Sequence, residues 1–62
     1  MEIVKKATII YTDGLEEKYD AIRVTNKGVI IGRILGRDFM DYGFIPKLSI
    51  KEINNSKGKI VF

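Results

Sequence analysis

The chain has no cysteine and no histidine. Without thiols, disulfides and zinc thiolates are excluded; without imidazole, the commonest metal ligand and the usual neutral-pH proton shuttle are gone. Ser49 and Ser56 are its only serines, so nucleophile–base pairs of the Ser-His or Cys-His kind cannot be assembled. A single proline, Pro46, and no low-complexity run leave nothing that reads as a linker. Long apolar runs are missing too. The longest uncharged apolar-rich stretch, residues 28–32, is far too short to span a bilayer, and the first residues lack the apolar core of a signal peptide. A cytoplasmic location is therefore expected and a membrane partner is not.

What is present fits one small folded domain over residues 1–62. Hydrophobic residues at 45% with charged residues at 31% argue for a packed core and against disorder. Eleven Lys and Arg against eight Asp and Glu give a net charge of +3, which permits contact with nucleic acid without requiring it.

The organisation reads as a string of short strands. Residues 7–12 are rich in β-branched and aromatic side chains and end at Asp13-Gly14. Residues 15–18 read as a charged connection, and residues 19–25 alternate so that Ile22 and Val24 point inward. Asn26-Lys27-Gly28 predicts a three-residue hairpin turn with Gly28 left-handed. Residues 29–35 are apolar on both faces, which implies strong bending, with Gly32 as the bend.

Residues 37–43 mix charge and aromatics without a period and read as a loop. From Phe44 the pattern predicts strand, a brief turn after Pro46, then strand, with a terminal strand at 59–62 against which Ile3 and Val4 could pair. No stretch sustains a helical period. The expected fold is all-β: a small, five-stranded, strongly bent SH3-like barrel or curved antiparallel sheet.

Three patterns could carry chemistry. Asp38 with Asp41, or Glu16, Glu17 and Asp20, could hold a hard cation, but interleaved cations make solvated turns the stronger reading, and neither a metal nor another cofactor is expected. Gly28, Gly32 and Gly36 share a strand face, which means either sheet bending or a groove open to a ligand. Aromatic residues interleaved with cations can stack bases and neutralise phosphates. Phe44 and Phe62 are expected in the core, whereas Phe39 and Tyr42 are the better candidates for contact.

Residues 32–41, Gly-Arg-Ile-Leu-Gly-Arg-Asp-Phe-Met-Asp, resemble the first signature of the Sm and Hfq-like RNA-binding proteins, and Thr12-Asp13-Gly14 is similar to the turn that precedes it. The resemblance implies a bent five-stranded barrel that assembles into rings, with Asp38, Phe39 and Asp41 at the base-binding loop; Asp41 stands where that family has Asn. Phe44-Ile45-Pro46 followed by Ile50 and Ile53 resembles the closing strands of SH3-like barrels, PRC-barrel domains included. The hairpin at 27–32 is similar to that of archaeal SH3-like chromatin proteins.

These readings converge on a non-enzymatic nucleic-acid-binding domain, for RNA ahead of DNA. Arg23, Arg33, Arg37 and Lys47 are expected on phosphate, and Phe39 or Tyr42 on a base. The alternative is a protein-interaction or homo-oligomerisation module that pairs through a sheet edge near Pro46 or at residues 59–62.

Overall fold

The computed structural model describes residues 3–60. It is an all-β chain of six antiparallel strands: β1 (Ile3–Tyr11), β2 (Glu16–Thr25), β3 (Gly28–Leu35), β4 (Asp38–Pro46), β5 (Ile50–Asn55) and β6 (Gly58–Lys59). A 3-10 turn at Lys47–Ser49 joins β4 to β5. The strands form one open sheet in the order β4-β3-β2-β1-β5-β6. Four strands thus run as a meander, and β5 crosses from the β4 edge to pair with β1.

The strand count differs from the five expected, and the described sheet is not closed into a barrel. The sixth strand is the short β6, which turns back on β5 through Asn54↔Lys59 and Asn55↔Gly58. Residues 61 and 62 of the anticipated terminal strand, and Phe62 as a core residue, lie outside the described residues. On one side Ile3 and Val4 pair with Arg23 and Ile22 of β2.

The core holds Ala7, Ile9, Ile22, Val29, Ile50 and Ile53, with Val4, Tyr11, Tyr19, Val24, Ile31, Ile45 and Ile60 packed against it. Along β1 the inward residues are Val4, then Ala7 and Ile9, so the side-chain alternation slips once, at Lys5-Lys6. Lys6 supplies the slip: its φ of 53° is the left-handed value. The same slip appears in β2, where Tyr19 packs inward, Ala21 and Ile22 are both fully buried, and Val24 continues the new phase. Both core phases are needed because β1 packs with β5 at one end of β2 while β2 packs with β3 at the other.

Three local readings are corrected by pairing. Residues 15–18 belong largely to β2, since Ile10↔Glu16, Ile9↔Glu17 and Thr8↔Lys18 extend the ladder while the charged side chains stay exposed. Residues 37–43 are strand from Asp38 on; their period is hidden by a bulge, in which Gly32 pairs with Asp41 but Ile31 pairs with Gly43, leaving Tyr42 as the extra residue. The β2–β3 turn contains two residues, Asn26 and Lys27, between the paired Thr25 and Gly28. Gly28 has the expected positive φ, at 156°, a conformation that L side chains rarely adopt. Thr25 holds the turn: its Oγ1 accepts from the backbone N–H groups of Lys27 and Gly28 at 3.2 and 3.1 Å and donates to the Gly28 carbonyl at 2.9 Å.

Candidate nucleic-acid interface

Register assigns Arg23, Ile30 and Phe44 to one row across β2, β3 and β4, on the same face as Gly28 and Gly32. This face points away from the core, since Ile22, Val24 and Val29 occupy the other side. Phe44 pairs with Ile30 and Phe39 with Ile34, and each ring leans diagonally over the glycine two positions earlier in β3. A Cβ on Gly32 would stand 2.7 Å from Phe39 Cζ, and one on Gly28 would stand 2.8 Å from Phe44 Cζ. Glycine therefore makes room for a ring at both positions, and the open groove considered from sequence is filled by the protein's own aromatics.

Phe44 is consequently not a core residue, contrary to expectation: it is 53% exposed. An odd apolar residue beside a bulge cannot be assigned a face from its spacing, because one inserted residue reverses the alternation. Sequence reasoning missed Phe44 at this face, whereas Ile30 and Ile34 lie with Gly28 and Gly32 as strand alternation implies. The available signal was the matched pair of glycines set opposite two aromatics on the next strand.

Arg23 completes the face. Its guanidinium carbon lies 5.0 Å from the centroid of the Phe39 ring, within cation–π range. The Arg23 Nε is enclosed and has no hydrogen-bond partner among the described residues.

Of the six residues expected to contact nucleic acid, the structure brings Arg23 and Phe39 together. Arg33 pairs with Met40 and so projects from the opposite face of β3, exposed. Arg37 lies in the β3–β4 turn beside Gly36, whose φ of 63° suits glycine there. Neither arginine makes an ion pair among the described residues, whereas Lys59 pairs with Glu52 at 3.3 Å. Tyr42, at the bulge, is 59% exposed. Lys47 sits at the other end of the hairpin, its backbone N–H donating to the Lys27 carbonyl at 3.0 Å, about 23 Å along β3 from the Arg37 turn.

Asp38 and Asp41 stand on β4 as exposed residues. Among the described residues no group of three or more acidic side chains is placed to hold a metal ion. Among the described residues no helix is long and apolar enough to cross a membrane. A second polar cluster lies elsewhere: Tyr11 and Tyr19 Oη are 2.7 Å apart, and Tyr19 Oη donates to Glu17 at 2.9 Å. Because Tyr19 has one proton to give, Tyr11 must be the donor between the two rings. Burial, then the bonds to Tyr11 and Glu17, push the Tyr19 phenol well above its ordinary value.

No protein-family model matches the chain, and no curated protein or solved structure matches it.

Proposed function

We propose that the chain is a non-enzymatic nucleic-acid-binding domain, for single-stranded RNA, and that its interface is the outward face of β2, β3 and β4. The carrying observation is the Arg23–Phe39 pair on a solvent-facing sheet beside the exposed Phe44 ring. Flat rings on a sheet present π-faces to which unstacked bases add, and a guanidinium over one of them neutralises the adjoining phosphate. Arg37 at the hairpin tip and Lys47 at its far end extend the positive charge along the strand direction. The meander, 3-10 turn and returning fifth strand support an SH3-like, Sm-like reading of the architecture, to which oligonucleotide binding on an outer sheet face is suited.

The test is titration of the isotope-labelled domain with short single-stranded RNA, single-stranded DNA and duplex DNA at two salt concentrations. Shifts centred on Arg23, Phe39 and Phe44 that weaken steeply with salt, and weaken again in Arg37→Ala, are expected. A flat salt response, or no shifts at this face, rejects the reading.

One observation favours a second reading, a protein-interaction or oligomerisation module. β4 is a nine-residue edge strand whose outer side has no partner among the described residues, and it exposes Met40 (53%), Tyr42 and Phe44. Such an edge can add a strand from another chain. Sedimentation that stays monomeric at high micromolar concentration, unchanged in Tyr42→Lys, would exclude self-pairing through it.

A further inference from the structure

β5 pairs with β1 only from Thr8 to Tyr11, so the stretch of β1 from Ile3 to Lys6 runs on beside the β5–β6 turn without a described ladder partner on that side. Two adjoining clefts open there. One, of ≈ 490 Å³, is lined among others by Lys6, Thr8, Lys18, Asp20, Asn55 and Ser56. The other, of ≈ 560 Å³, shares Lys6, Asn55 and Ser56 and adds Lys5 and Lys57. Among the described residues that line them are four lysines and one aspartate.

The neutral groups add donors. Asn55 Oδ1 accepts from the Lys57 backbone N–H at 2.9 Å, which leaves the Asn55 amide N–H groups free to donate. The hydroxyls of Thr8 and Ser56 have no partner among the described residues either. These donors stand beside the Asp20 carboxylate and Asn54, whose amide N–H donates to Glu52 at 2.9 Å, so it is the excess of lysine over aspartate in the described lining that suits a tetrahedral oxyanion.

Lys6 lines both clefts and is the one non-glycine residue with positive φ among those described, at 53°. The slip in side-chain alternation accounts for that backbone conformation. It does not account for lysine, since glycine or asparagine adopts the left-handed region with less strain. Strain retained at a position whose side chain faces a cationic cleft is the pattern of a functional site.

We infer that these paired clefts bind a phosphate group, with Lys6, common to both, as the central cation, assisted by Lys18 and the donors of Thr8, Asn55 and Ser56. The site is separate from the aromatic face and does not depend on the function proposed for it. Its ligand is a free phosphate or phosphomonoester, or the phosphodiester of a nucleic acid, since both present the same oxygens.

The experiment is an amide-shift titration at constant ionic strength with inorganic phosphate in one arm and a short oligonucleotide in the other, chloride serving as the control. Saturating shifts at Lys6, Thr8, Asn55 and Ser56 are expected in at least one arm: the first identifies free phosphate as the source, the second the nucleic-acid backbone. Lys6→Gly removes the ammonium while suiting the backbone, so the variant should fold with an unchanged or raised Tm and bind at least fivefold more weakly. Lys18→Gln should weaken binding without changing Tm. Absence of shifts in both arms, or binding by Lys6→Gly equal to the parent's, overturns the inference.

Discussion

The guanidinium of Arg23 and the ring of Phe39 face each other at 5.0 Å across β3, although the residues are neighbours neither in sequence nor in the hydrogen-bonded ladder. The contact exists because Gly32 has no side chain to separate them and the Phe39 ring leans across it. One pair of residues thus links strand packing to the proposed interface.

Removing either member should act differently on binding. Phe39→Ala should cost about 1–3 kcal/mol of affinity for single-stranded RNA, the value of one stacked base. Arg23→Ala should lower the slope of log K against log salt by about one phosphate contact. Isothermal titration at three salt concentrations separates the two, and equal effects on slope would show that Arg23 serves the ring and not the phosphate.

Gly32→Ala should destabilise the fold by roughly 1–3 kcal/mol, the usual cost of forcing atoms into an occupied site. The new Cβ would stand 2.6 Å from the Met40 carbonyl oxygen and 2.7 Å from Phe39 Cζ, and the backbone oxygen cannot swing aside as a side chain could. Urea unfolding measures the loss. Gly36→Ala, at a turn with nothing within 4 Å, tests the different cost of left-handed φ without a clash.

The Tyr11–Tyr19–Glu17 chain makes stability sensitive to alkali. The Tyr19 phenol is raised in the fold, so its neutral form is favoured there. That contribution is complete below the unfolded tyrosine value of about 10 and is lost as pH rises beyond it. The urea midpoint should therefore fall above about pH 10, and the fall should be shallower in Tyr19→Phe, which has no phenol to ionise. Parallel pH profiles for the two proteins would remove Tyr19 as the cause.

Much of the sheet was legible because alternation survives where strands are regular. Alternation in residues 19–25 points Ile22 and Val24 inward, Pro46 marks the turn that follows it, and no stretch sustains a helical period. The losses cluster at two irregularities. The Tyr42 bulge concealed β4 and reversed the face of Phe44. The Lys6 slip moved the core from one phase of β1 to the other, and no residue type announces it, since lysine is an ordinary strand-surface residue. The Arg23–Phe39 contact depends on register across three strands, which one-dimensional spacing does not contain. The cleft lysines were invisible for the same reason: Lys6, Lys18 and Lys57 come from three separate segments.

Ile9 and Ile53 face each other across β1 and β5 and are 0% and 1% exposed. They join the crossing strand β5 to the meander, so the chain connection through the 3-10 turn is stabilised mainly by this pair and its neighbours Ala7 and Ile50. A domain of this size has roughly 3–9 kcal/mol of total stability at ordinary per-residue values. Ile9→Ala removes three carbons from a closed site and should cost about 2–5 kcal/mol, enough to leave a large unfolded population at 37 °C. Ile9→Val, at about 0.5–1.5 kcal/mol, should stay folded and keep its denaturant slope, which separates loss of packing from loss of topology. If Ile9→Ala unfolds as cooperatively as the parent with less than 1 kcal/mol lost, β5 must be anchored by something other than this isoleucine pair.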